Sequence, residues 1–106
     1  MDGGRITVKH LQDYIRSKDY RPEDATLYYL KLSEEVGELA RAMRKDQRPT
    51  EASPLKETID EELWDVMYYV LALANCYGVD LEQVIPDKEA LNNRKYATGI
   101  TFAPDK

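Results

Sequence analysis

Apolar residues recur three and four positions apart along most of this chain, and no apolar–polar alternation runs long enough to mark a strand. That periodicity commits the chain to packed helices. A first helix is expected over about 7–19, with Thr7 as N-cap and Val8, Leu11, Tyr14 and Ile15 on one face. It should end at Asp19–Tyr20–Arg21–Pro22, because the residue before a proline is held out of the α region. Pro22 suits the first turn of a second helix over 22–45, with Glu23 and Asp24 at its positive end and Arg41, Arg44 and Lys45 at its negative end. A polar loop, 46–53, leads to a third helix over 54–77, which Gly78 closes in the left-handed C′ position. Asp80 and Gln83 resemble a capping box for a fourth helix over 80–96, where Pro86 is expected to kink or split the rod. The tail, 98–106, is expected to be loosely held. The expected fold is all-α: a compact four-helix bundle forming one domain over 1–106.

Composition narrows what such a bundle does. With 106 residues and 42% hydrophobic content the chain can fill one core, but two would be hard to fill. A net charge of −5 argues against binding a nucleic-acid backbone, which takes clustered Lys and Arg. The longest apolar run, Val66 to Ala74, is about half of what spans a bilayer, so no membrane partner is expected. One cysteine, Cys76, fits a small buried group in a reducing compartment. No apolar signal core precedes residue 20, and a cytoplasmic location is expected.

The most informative feature is an internal echo. Leu32-Ser33-Glu34-Glu35-Val36-Gly37-Glu38-Leu39 and Ile59-Asp60-Glu61-Glu62-Leu63-Trp64-Asp65-Val66 both read apolar-x-Glu-Glu-apolar-x-acid-apolar. At about 100° per residue, Leu32, Val36, Leu39 and Met43 form one stripe, taken as core, with Glu35 about 60° and Glu38 about 120° to one side. Helix three repeats this: Ile59, Leu63, Val66, Val70, Ala74 and Tyr77 form the stripe, Glu62 and Asp65 the flank. Glu34 and Glu61 face outward. Antiparallel packing through the stripes lets the two acid pairs converge, and a single like-charge pair at 4 Å costs about 4 kcal/mol at an effective dielectric of 20. A divalent cation resolves that repulsion, and an all-oxygen set selects Mg²⁺ or Mn²⁺. Either pattern alone reads as a solvated helix face; the doubling at matching angles favours the metal. A di-iron centre needs Glu-x-x-His pairs, and the only histidine, His10, has no such partner.

At these residues the chain resembles the MazG-like, all-α nucleoside triphosphate pyrophosphohydrolases. Their signature is Glu-Glu-x-x-Glu, a spacer, then Glu-x-x-Asp; here it stands as Glu34-Glu35-Val36-Gly37-Glu38, 23 residues (39–61), then Glu62-Leu63-Trp64-Asp65. The similarity extends over about 7–96 and includes Lys88-Glu89-Ala90-Leu91-Asn92-Asn93-Arg94-Lys95-Tyr96. It implies Mg²⁺-dependent hydrolysis of a nucleoside triphosphate to the monophosphate and pyrophosphate, with Glu35, Glu38, Glu62 and Asp65 as metal ligands and catalytic groups. Lys88, Asn92 and Lys95 share one face of helix four, and the resemblance assigns them to phosphate rather than to a solvated basic turn. Lys31 is a further candidate, its alternative an ion pair one turn along the helix.

Tyr69, one turn after Asp65, matches a tyrosine that the related dCTP pyrophosphatases place against the nucleotide, and Tyr20 matches an aromatic of their base pocket; both also suit packing. Trp64 points away from the acidic flank by the same arithmetic and is assigned to a subunit interface. Helix three is apolar on more than one face, which with the resemblance predicts a homodimer or dimer of dimers. Phosphoribosyl-ATP pyrophosphohydrolase is the enzymatic alternative, and a non-catalytic acidic helical interaction module the other.

Overall fold

The computed structural model describes residues 4–103. Four helices and no strand occur among them: α1 (Val8–Lys18), α2 (Ala25–Arg44), α3 (Ile59–Cys76) and α4 (Leu81–Lys95), with one 3₁₀ turn over Pro22–Asp24 between α1 and α2. The all-α, four-helix reading therefore holds, while two helix starts move. Pro22 opens the tight turn, where Asp24 N–H bonds back to Arg21 O at 2.9 Å, and the α-helix proper begins at Ala25. Helix α3 begins at Ile59 rather than at 54. Thr58 is its N-cap: its Oγ1 accepts from Glu61 N–H at 3.2 Å, and the Glu61 carboxylate reaches back to accept from Glu57 N–H at 2.8 Å. This near-reciprocal cap fixes the start, and Glu57, at φ 66°, cannot continue a helix backward.

Thr7 caps α1 as expected, accepting from His10 N–H at 3.0 Å. Helix α4 runs unbroken through Pro86, its sixth residue, which forfeits a single bond to the Glu82 carbonyl. Asp80 caps it by accepting from Glu82 N–H at 3.0 Å instead of pairing with Gln83. Gly78, at φ 64°, ends α3 in the Schellman arrangement: Val79 N–H to Ala74 O at 2.8 Å and Gly78 N–H to Asn75 O at 3.1 Å. The ends of α2 and α4 repeat that wrap with Asp46 and Ala97, both at φ 49°, in the glycine position. Of the expected loose tail, residues 104–106 lie outside the described residues. Thr98 is tied down, its hydroxyl donating to Asn93 Oδ1 at 3.1 Å.

Helices α2 and α3 form an antiparallel hairpin. Ile59 N–H donates to Gln47 O at 2.9 Å at its closed end, and Tyr28 and Tyr69 lie 6.5 Å apart toward the other. Helix α1 packs on α3, burying Ile15 completely with Tyr28, Leu71 and Ala72. A buried amide pair locks this contact: Gln12 Nε2 donates to Asn75 Oδ1 (3.1 Å) and Val79 O (2.8 Å), and Asn75 Nδ2 donates to Gln12 O (2.9 Å). The remaining Gln12 oxygen accepts from Leu81 N–H at 3.1 Å, so the same side chain positions the start of α4. With its polar atoms satisfied, this pair adds specificity without an unpaired buried group.

The stripe taken as core does not face inward on α3. The seam of the hairpin is built by Tyr28, Leu32, Glu35, Leu39 and Ala42 on α2 and by Glu62, Asp65, Val66, Tyr69 and Leu73 on α3, all buried or half-buried. Leu32, Leu39 and Val66 of the expected stripe do lie in this seam, but Val36, Met43, Leu63, Val70 and Tyr77 are exposed, together with Met67. The reason is three-way packing: α3 gives one face to α2, a second (Tyr68, Leu71, Ala72, Asn75) to α1, and leaves the apolar third open. The radius of gyration, 16.4 Å, accordingly exceeds the roughly 13 Å of a tightly packed domain of this length. No helix among the described residues is long and apolar enough to cross a membrane.

Candidate active site

The rotation of the hairpin puts the acids into the seam itself. Glu35 at the middle of α2 meets Glu62 and Asp65 in the first two turns of α3, and each offers an oxygen within 4.8 Å of the others. Glu62 is buried, 8% exposed, and its Oε2 has no hydrogen-bond partner. A buried carboxylate oxygen without a donor is costly to keep. Burial first, then the negative charges of Asp65 and Glu35, pushes the Glu62 carboxyl up to about 7. Glu35 is also raised, by burial and then by Asp65, against the pull of a hydrogen bond shared with Glu62. Asp65 is raised by burial and by Glu61.

Those features fit a hard divalent cation. A Mg²⁺ ion with oxygens about 2.1 Å away places opposite ligands about 4.2 Å apart, within the span of this cluster. Glu38 is not part of the cluster. It is exposed and lines a small adjoining cleft with Arg41, Lys45 and Glu62, so Glu62 stands between two clefts.

The second cleft, about 330 Å³, is lined by Lys18, Asp19, Glu35, Trp64, Asp65, Tyr68 and Tyr69. Tyr69 thus stands beside the carboxylates, its ring 5.1 Å from that of Tyr68, and burial together with the Glu35 charge pushes its hydroxyl pKa up. Trp64 is also here, in edge contact with Tyr68 at 6.0 Å, contrary to the expectation that it leaves the acidic side. It falls toward α1, a face that the two-helix arithmetic did not contain. Asp19 ends α1 and binds two tyrosines, Tyr28 Oη donating at 2.6 Å and Tyr68 Oη at 3.1 Å. Tyr20 is exposed under the Arg16 guanidinium at 5.6 Å and is not among the lining residues. Lys31 pairs with exposed Glu34 at 3.9 Å rather than with Glu35. Lys88, Asn92 and Lys95 lie on α4, which packs against α1; none lines the cleft, Asn92 donating to Glu89 at 3.3 Å and Lys95 lying 5.4 Å from the Tyr96 ring.

Sequence reasoning missed Lys18 and Asp19. Their signal was their place just before the Tyr20–Arg21–Pro22 break, where the last turn of α1 must end against whatever lies next in space.

Comparison with known proteins agrees with this geometry. A family model described as the MazG nucleotide pyrophosphohydrolase domain matches residues 23–95. Two crystal structures of iMazG from Vibrio DAT 722 are similar to this chain at 47% sequence identity. The C-terminally tagged form has a TM-score of 0.77 over 83% of this chain and 99% of that one. The N-terminally tagged form gives 0.78 over 86% and 98%. The Bacillus subtilis (strain 168) proteins YpjD and YvdC are 36% identical over 55 residues and 39% identical over 62. These matches cover 50% and 51% of this chain and 50% and 58% of the relatives, so the chain spans about half the length of each. The four-helix fold, the acid-bearing hairpin and the match over residues 23–95 identify the chain as a member of the MazG nucleotide pyrophosphohydrolase family.

Proposed function

We propose that this chain hydrolyses a nucleoside triphosphate, a deoxynucleotide or a modified one, to the monophosphate and pyrophosphate, with Mg²⁺ as cofactor and Mn²⁺ able to replace it, in the cytoplasm. The observation that carries the reading is the buried Glu62, with an unpartnered oxygen, inside a three-carboxylate cluster. Glu35, Glu62 and Asp65 would hold the ion, and Glu38, exposed in the adjoining cleft, is the fourth carboxylate of the family signature. Bound there, the ion supplies charge neutralisation on the phosphates and Lewis-acid polarisation. The carboxylates orient the attacking water, and one of the four takes its proton. Tyr69 and Trp64 give the cleft its aromatic wall for the base. The family resemblance further assigns phosphate to Lys88, Asn92 and Lys95, which lie on α4 outside this cleft.

We also propose a homodimer or dimer of dimers as the working form. The exposed apolar stripes of α2 and α3 lie side by side on one hairpin, a self-complementary surface of the kind two-fold dimers bury. A panel of dNTPs, NTPs and phosphoribosyl-ATP with Mg²⁺, scored for pyrophosphate, tests the reaction. Pyrophosphate release from a nucleoside triphosphate, abolished by Glu35→Ala, Glu38→Ala, Glu62→Ala or Asp65→Ala with helicity unchanged, is the expected result. Release confined to phosphoribosyl-ATP moves the chain to that activity, and no release from any of them leaves an interaction module.

A further inference from the structure

Among the described residues, one cation lines the cleft beside Glu35 and Asp65: Lys18, in the last turn of α1. Its Nζ donates to Tyr14 Oη at 3.1 Å and lies 4.7 Å from the Tyr14 ring centroid and 5.4 Å from that of Tyr68. An ammonium has three donors, and one is used. The carboxylate next to it in sequence is turned to the tyrosines instead, its Oδ1 accepting from Tyr28 and its Oδ2 from Tyr68. The tyrosine contacts hold the charge at the cleft mouth without cancelling it. A basic residue in a last helical turn needs only solvent and the helix dipole. Here the ammonium instead lies against two rings on the wall of a cleft whose floor is carboxylate.

We propose that Lys18 is a phosphate-binding residue: its ammonium takes a non-bridging oxygen of the triphosphate chain as the anion enters beside the Glu35–Glu62–Asp65 cluster. The inference rests on the nucleotide reading above and adds a contact from α1. The two are separable, because removing the lysine leaves the carboxylates untouched. Asp19 holds Tyr68, one of the two rings that carry the ammonium, so the end of α1 is fixed before substrate arrives.

The test is isothermal titration of the full chain with an α,β-imido deoxynucleoside triphosphate, which the enzyme cannot cleave at the α,β bridge, in Mg²⁺. Lys18→Met is expected to weaken binding by about tenfold or more, the size of a lost charge-assisted contact, and Lys18→Arg to keep it within about threefold. Binding of Mn²⁺ alone, read by electron paramagnetic resonance, is expected to stay unchanged in both variants. A Lys18→Met loss below about fivefold overturns the proposal, and so does a matching loss of Mn²⁺ affinity, which would place the effect on the carboxylates. If the wild-type chain binds no triphosphate analogue, the nucleotide reading falls and this contact with it. If wild type binds and Lys18→Met binds equally, only the role of Lys18 falls.

Discussion

Glu62 shows how a single residue's environment converts an ordinary acid into a site. In the sequence it is one of three consecutive acids, Asp60, Glu61 and Glu62, and any of them could be a solvated helix residue. The fold separates them: Glu61 turns back to cap its own helix, while Glu62 enters the seam. Angle arithmetic set Glu62 and Asp65 on one flank and paired them with Glu35 and Glu38; the structure brings Glu35 into the cluster and leaves Glu38, further round the helix, exposed. The arithmetic could not fix the absolute direction, which depends on where α1 and α2 sit. The stability consequence follows from the sign of the shift. The folded Glu62 carboxyl holds its proton up to about 7, above the ordinary carboxylate range. The stabilisation is thus complete below the ordinary glutamate pKa and is lost as pH rises through the folded value. Metal-free protein is expected to melt at a lower temperature at pH 8 than at pH 5, and Glu62→Gln to flatten that slope in a thermal-melt series. A wild-type slope unchanged in Glu62→Gln would show that another group carries it.

At the scale of the element, the helices were legible wherever a local signal set them, and less so where tertiary contacts did. Thr7, Gly78 and the Asp19–Pro22 break were read directly. The start of α3 was misplaced by five residues because Pro54 drew the reading, although Thr58 with Glu61 three positions on is the stronger signal. The three Schellman ends give a prediction of opposite signs. Gly78→Ala forces a side chain into φ 64° and is expected to cost about 1 kcal/mol, whereas Ala97→Gly relieves φ 49° and is expected to add about 0.5–1 kcal/mol. Urea midpoints of the two variants check this. The same direction of change in both would contradict it.

For the whole molecule, the proposed dimer rests on the open third face of α3. Leu63, Met67, Val70 and Tyr77 repeat at helical spacing and are exposed, as are Val36 and Met43 on α2. The sequence revealed the apolar stripe but not what it faces, since one chain's periodicity is the same whether a helix packs on itself or on a copy. Val70→Glu is expected to leave helicity intact and to yield a monomer by light scattering; an unchanged mass would remove this face from the interface.

The junction at Arg21–Pro22 has a consequence for how such a chain diversifies. Every acid of the cluster comes from one hairpin downstream of that break, whereas the cation, Lys18, comes from the short rod before it. On the proposed reading, exchanging the leading rod would retune which anions are welcomed while the carboxylate cluster stays whole, leaving selectivity and chemistry in separate parts.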